Sequence, residues 1–334
     1  MSTTIQAGPE LHSGPAATKK RRRDSKLRMW AEIVLFVGPA LVIFVTFVIV
    51  PIFQAAYYSL YRWDGVAALN NISCSSPDRV RGTPCFNGIQ NYIQAFNDPD
   101  FIQAIGNNFF ILIASILVQG PLAILVALLL NQKMRGRGFI RAAIFVPYVL
   151  AEAIAALSWS LLLSPRGAIN AWLGSIGISG PTDGALGDPK IALWAMFGIL
   201  TWKYLGFAVL IMLAGLQSVP EELHEAAAID GAGWWRTQWY ITLPLLGPTI
   251  RIWIFLSMIG SLQLFDMVWV TTRGGPLNST NTMAVYMLKN GQTAPGYGSA
   301  IAVILFVISL VIALVYQRFA MRRDLEGAIT RGVR

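Results

Sequence analysis

Charge is scarce in this chain. Asp, Glu, Lys and Arg make up 13% of its 334 residues, whereas apolar residues make up 55%, a balance too apolar for a soluble domain of this length. Histidine occurs only as His12 and His224, far apart in sequence, and cysteine only as Cys74 and Cys85; no metal site is supported by that inventory. No Gly-Lys-Ser/Thr phosphate loop is present, so the chain carries no ATP site of that type. Nothing resembles a Ser/His/Asp or Cys/His constellation backed by a soluble catalytic domain. The chain is therefore expected not to be an enzyme and to bind no cofactor of its own.

What is abundant is long apolar runs. Six stretches reach the roughly 20 apolar residues that a helix needs to cross a hydrocarbon core: 30–58, 105–130, 139–163, 191–216, 249–271 and 298–319. None alternates as a barrel strand would. The expected fold is all-α, a polytopic membrane protein with six transmembrane helices spanning 29–323, preceded by a basic tail (1–28) expected to be disordered and followed by a short tail (324–334). Basic residues accumulate on the cytoplasmic side of short loops. Lys19 to Arg28, the loop with Lys133, Arg135, Arg137 and Arg141, and the tail with Arg318, Arg322 and Arg323 all fall on one face, so both termini are expected inside a cell membrane. The net charge of +9 is explained as a topology anchor drawn to anionic lipid, with no nucleic-acid partner. The first apolar run is too long for a cleaved signal peptide and lacks a small-residue cleavage pattern; it reads as an uncleaved helix.

Cys74 and Cys85 lie in the first external loop, within NNISCSSPDRVRGTPCFNG. That compartment is oxidising, and a bridge between them is the expected arrangement, two unpaired surface thiols being the alternative.

One internal loop departs from the basic rule. In the segment 219–248, VPEELHEAAAIDGAGWWRTQWYITLPLLGP, the acids Glu221, Glu222, Glu225 and Asp230 outnumber Arg236. Glu221 to Ile229 contains neither proline nor glycine, so a helix of about two turns is expected, its acids in the first turn where the macrodipole favours them. Gly231 and Gly233 are expected to close it in the left-handed conformation, with a second amphipathic piece over 234–241. Without further information this element could lie at the lipid interface, anchored by Trp234, Trp235 and Trp239. Its spacing is more specific than that. Glu225-Ala226-Ala227, three residues, Gly231, nine residues, Ile241, one residue and Leu243-Pro244 resemble, at every fixed position, the EAA loop of binding-protein-dependent ABC importer permeases.

Softer features place the resemblance in the carbohydrate-uptake branch and extend it over about 29–323: FNGIQNYIQAFNDPDFIQAIGNNFFI before the second span, VPYVLAEAIAALSW at 146–159 and LFDMVWVTTRGGPLNST at 264–280. The loop around Cys74 and Cys85 lies outside the family pattern. The resemblance implies a permease that moves a sugar, expected to be an oligosaccharide, into the cytoplasm. It also implies a second homologous permease, two copies of a cytoplasmic ATPase that use ATP and Mg, and an extracytoplasmic sugar-binding protein. The glutamate at Glu225 would pair with a basic residue of the ATPase.

Ionisable groups inside spans are costly and mark function by default. Glu152 and Lys203 fall near the middles of the third and fourth spans. Trp159, seven residues after Glu152, shares its helix face, a pairing suited to sugar hydroxyls and a pyranose face. A direct Glu152–Lys203 ion pair is the structural alternative. Gln263 and Asp266, three apart, are expected on one face of the fifth span, lining an entry or holding the Gly274-Gly275-Pro276 turn. Trp202 and Tyr204 are expected to pack against helices or lipid. An ion-driven secondary carrier is the competing class, which would show internal repeats with broken helices at the midplane; a membrane-embedded enzyme using Glu152 or Asp266 is more remote.

Overall fold

The structure is a computed structural model that describes residues 15–66, 69, 72–76, 83–132 and 135–321. The chain divides into two units between Ala55 and Ala56. In the first, helix runs from Pro15 to Phe44, widens into a π turn at Val45–Ile49 and continues into Val50–Tyr58. The segment 15–28, expected to be disordered, is helical and continuous with the first span. Its Ala, Lys and Arg residues are good helix formers, and extending an existing helix avoids the cost of nucleating one. Residues 1–14 and the expected tail 324–334 lie outside the described residues.

Among the described residues, five helices are long and apolar enough to cross a membrane: Glu32–Tyr58, Pro99–Asn131, Ala192–Leu216, Gly247–Thr271 and Pro295–Ala320. The third expected span is not one helix. It is Arg137–Val149 followed by Glu152–Leu162, bent by 97°, with Leu150 and Ala151 extended at ψ 140. Six spans therefore hold only if this bent pair counts as one. Within residues 56–334 the helices meet along small residues, as membrane packing requires. Ala123, Ala127 and Ala208 are fully buried, and a Cβ at Gly206 would stand 2.4 Å from the carbonyl oxygen of Ile144.

Proline shapes several of these helices. The π turns Val45–Ile49, Ser115–Gln119 and Gln238–Thr242 each end two residues before a proline, Pro51, Pro121 and Pro244. Proline has no N–H for the carbonyl four residues earlier and its ring crowds that oxygen, so the preceding turn opens. The Leu-Pro that closes the 219–248 motif is thus the cause of a widened turn containing Ile241.

Two breaks within spans leave backbone carbonyls without helical partners, a state that hydrocarbon penalises, and side chains from outside the broken span take them. At the end of Arg137–Val149, Lys203 Nζ donates to the carbonyls of Pro147 at 3.3 Å, Tyr148 at 3.2 Å, and Leu150. The fifth span is interrupted at 263–265. There Asn108 Nδ2 donates to the carbonyls of Ser261 at 2.7 Å and Leu262 at 3.2 Å, and Thr282 Oγ1 to that of Leu264 at 2.8 Å. Asn108 Oδ1 also accepts the amide of Met283 at 2.8 Å. The same interruption corrects the expectation for Gln263 and Asp266. Gln263 ends one helix and Asp266 begins the next, so the three-residue spacing does not place them on one continuous helical face.

One end of the 56–334 unit carries a two-residue antiparallel pairing, Tyr61 with Phe86 and Arg62 with Cys85, stapled by the Cys74–Cys85 disulfide. Asp98 caps the second span by accepting the Asp100 amide at 2.9 Å and takes the Tyr286 hydroxyl on its other oxygen. Burial, then that hydrogen bond to Asp98, raises the Tyr286 hydroxyl above the ordinary phenol range, so Tyr286 stays the donor. The opposite end carries the 219–248 loop.

Candidate functional site

The 219–248 loop folds as a helix, a turn and a second helix. Glu221–Ile229 is helical. Its carbonyls are closed by Gly231 N–H to Ala228 O at 3.1 Å and Ala232 N–H to Ala227 O at 2.9 Å, the paired bonds of a Schellman ending. Gly231 has φ +73, a conformation that glycine adopts without a Cβ penalty. Gly233, by contrast, has φ −66 and caps the next helix; the expectation that both glycines are left-handed is corrected to Gly231 alone. Trp234–Thr237 runs through the π turn at Gln238–Thr242 into Leu243–Leu245. Ala227 is buried under the first helix, while Glu221, Glu222, Glu225, Ala226 and Asp230 face outward. Ile229 (87% exposed) and Trp235, Trp239 and Tyr240 are also uncovered. Ile241 and Leu243 are half-buried and Pro244 is exposed.

A second site lies inside the membrane region. Spans two to five line a half-open cavity of about 420 Å³, walled mainly by apolar and aromatic groups together with Ser115, Gln119, Tyr148, Tyr204 and Ser257. The π turn places Ser115 and Gln119 together: Ser115 Oγ donates to Gln119 Oε1 at 2.5 Å and stands 2.8 Å from Ser257 Oγ. Tyr148 stacks on Phe207 with ring centroids 4.9 Å apart.

None of Glu152, Trp159, Lys203, Gln263 and Asp266 lines this cavity. Glu152 is not at mid-helix; it is the first residue after the break, and its carboxylate accepts the hydroxyl of Tyr204, a residue expected merely to pack but which lines the cavity. No ion pair joins Glu152 to Lys203 among the described residues; each has its own partner. Trp159 meets Trp202 edge-to-face at 5.3 Å. The helix Asp266–Thr271 packs on Glu152–Leu162 through Ala155, Ala156, Met267 and Val268, while Gln263 and Asp266 stay exposed. Ser115, Gln119 and Ser257 were missed because lone small polar residues in an apolar run carry no signal; the proline two residues after Gln119 was the available cue.

Membrane-crossing helices with broken spans that line a half-open cavity suit a transport component. The chain belongs to the family described as binding-protein-dependent transport system inner membrane component, whose pattern matches residues 14–324. It is 33% identical over 288 residues to a probable ABC transporter permease protein of Pyrococcus horikoshii, covering 85% of this chain and 94% of that one. It is 32% identical over 295 residues to the lactose transport system permease protein of Rhizobium radiobacter, covering 87% and 93% of the two chains. To the trehalose/maltose transport system permease protein of Thermococcus litoralis it is 31% identical over 310 residues, covering 92% and 98%. The fold matches a chain in the crystal structure of a bacterial ABC transporter involved in the import of the acidic polysaccharide alginate, with a TM-score of 0.71 at 24% identity over 88% of this chain and 99% of that one.

Proposed function

We propose that this chain is a membrane-spanning subunit of an ATP-driven sugar importer that passes an oligosaccharide to the cytoplasm, coupled to two ATPase subunits through the 219–248 loop. The basic end faces the cytoplasm, the disulfide end faces out toward a sugar-binding protein, and a second homologous permease completes the path. The observation that carries the reading is the short helix Glu221–Ile229: Schellman-closed at Gly231 and acidic on its uncovered side. It offers a rigid, negatively charged knob to a basic groove. Sugar as the cargo is supported by the lactose and trehalose/maltose names of relatives and by a cavity whose aromatic walls and few hydroxyl and amide groups suit pyranose rings.

Broken helices at the midplane are also a mark of secondary carriers. In such carriers the freed carbonyls coordinate the driving ion. Here Lys203, Asn108 and Thr282 occupy them, which favours a structural break. The coupling contact is testable directly. Both native cysteines are in the disulfide, so Ala226→Cys adds a single reactive thiol. It should crosslink to the ATPase through a short bifunctional maleimide in the assembled transporter, whereas Trp172→Cys, in the exposed helix Ala168–Ser175 between the third and fourth spans, should not. Equal crosslinking from both positions, or none from Ala226→Cys, would count against the docking surface.

A further inference from the structure

At the disulfide end lies a polar groove that the transport reading leaves without a role. It has a volume of about 980 Å³ and is walled by residues 62–64, by Thr83, Pro84 and Asn87 beside the disulfide, by the helix Gln90–Asn97 and by the turn before the sixth span, at the large end of the roughly 300–1,000 Å³ range of small-molecule sites. Its lining includes the carboxamides of Asn87, Gln90, Asn91, Gln94 and Asn290, with the indole of Trp63.

The orientation of these amides is fixed from within. Asn91 Nδ2 donates to the carbonyls of Ser59 at 2.7 Å and Tyr61 at 2.9 Å. Asn87 Nδ2 donates to Asn91 Oδ1 at 3.2 Å, and Asn290 Nδ2 to the carbonyl of Tyr286 at 3.0 Å. Both N–H groups of Asn91 and one each of Asn87 and Asn290 are thus used inside the protein, which orients the carbonyl oxygens of Asn87 and Asn290 as acceptors, beside the exposed amides of Gln90 and Gln94. Trp63 is itself held by Tyr58, ring centroids 4.9 Å apart.

We infer that this groove binds a neutral oligosaccharide chain outside the membrane. The inference rests on the sugar-importer reading with the disulfide end outward. Fixed carbonyl acceptors match sugar hydroxyl donors, free amides answer hydroxyls in either sense, and an indole covers a pyranose face. Arg62, Asp64 and Asp98 also line it, two acids to one base, which suits a neutral chain better than a polyanion. A docked polypeptide segment would bring apolar side chains, for which this mostly polar lining offers little. The Cys74–Cys85 bridge holds one wall in place.

The test is saturation-transfer NMR on the full chain in nanodiscs, with maltohexaose, cellohexaose and xylohexaose as probes and glucose and xylose as short controls. At least one hexasaccharide should receive saturation while its monosaccharide does not. The transfer should fall at least about fivefold in Gln90→Ala/Gln94→Ala and in Trp63→Ala, and persist in Phe139→Ala, an exposed residue that lines neither the groove nor the membrane cavity; Phe207→Ala, which alters that cavity, reports any transfer arising there. No transfer to any hexasaccharide, or transfer unchanged by the groove variants, overturns the inference. Loss only in Phe207→Ala would overturn it while leaving the importer reading standing. Protection of the groove by an added binding protein, with no transfer to sugar, would assign it to a protein partner instead.

Discussion

Glu225→Lys is expected to abolish uptake while the protein inserts and accumulates normally. Glu225 is exposed on the uncovered side of Glu221–Ile229, so its reversal disturbs nothing in this chain's own core. Against a basic partner it turns an attraction into a repulsion. Losing a charged pair at an interface typically costs about 2–5 kcal/mol, enough to lower coupling at least about thirtyfold. Gly231→Pro should act by a different route to the same end. It replaces φ +73 by the proline value and removes the N–H that donates to Ala228, at about 3 kcal/mol or more. The helix then ends without its turn, and the second helix leaves at another angle. Uptake and membrane abundance measured together decide the matter. Normal uptake in both variants would remove the loop from the coupling path, and low abundance of Glu225→Lys would assign that residue a structural role.

Lys203→Met should sharply lower membrane abundance, and adding Glu152→Gln should not restore it. Lys203 is 2% exposed, and its ammonium holds three carbonyls at the break between Val149 and Glu152. A cation there also meets the negative end of the preceding helix. Methionine fills the volume but leaves those carbonyls bare, at roughly 1–3 kcal/mol for each buried group left unsatisfied. Glu152→Gln alone keeps an acceptor for the Tyr204 hydroxyl, so it should insert and assemble as the parent does. Had the two charges neutralised each other, each single change would be damaging and the double change would recover. The double variant therefore separates a carbonyl clamp from an ion pair. Recovery of abundance in it would contradict the hydrogen bonding described here.

The helix-turn-helix form of the 219–248 loop was legible in the sequence because every part of it is local. The acids, the helix-forming run and the glycine that must turn left-handed lie within a dozen residues, and each has a position-specific backbone reason. The spans were legible for the same reason, since length and apolarity need no partner. The breaks were not. Pro147 was visible within its run, but what lets a helix stop in hydrocarbon is who takes its carbonyls, and the takers come from outside the broken span: Lys203 for the third, Asn108 and Thr282 for the fifth. Lys203 consequently looked like the counter-ion of Glu152, and Gln263 and Asp266 looked like neighbours on one face. Tyr204 was assigned to packing because a phenol in an apolar run reads as bulk, and its bond to Glu152 depends on a bend 97° sharp.

The central claim is that ATP hydrolysis on another chain drives a sugar through this one. It is tested most directly in proteoliposomes holding this chain with its partner permease and ATPase and supplied with the sugar-loaded binding protein. Uptake of labelled sugar should require ATP with the ATPase, should stop in Glu225→Lys, and should not respond to an imposed proton or sodium gradient. Gradient-driven uptake without ATP, by this chain alone or with its partner permease, would contradict the account.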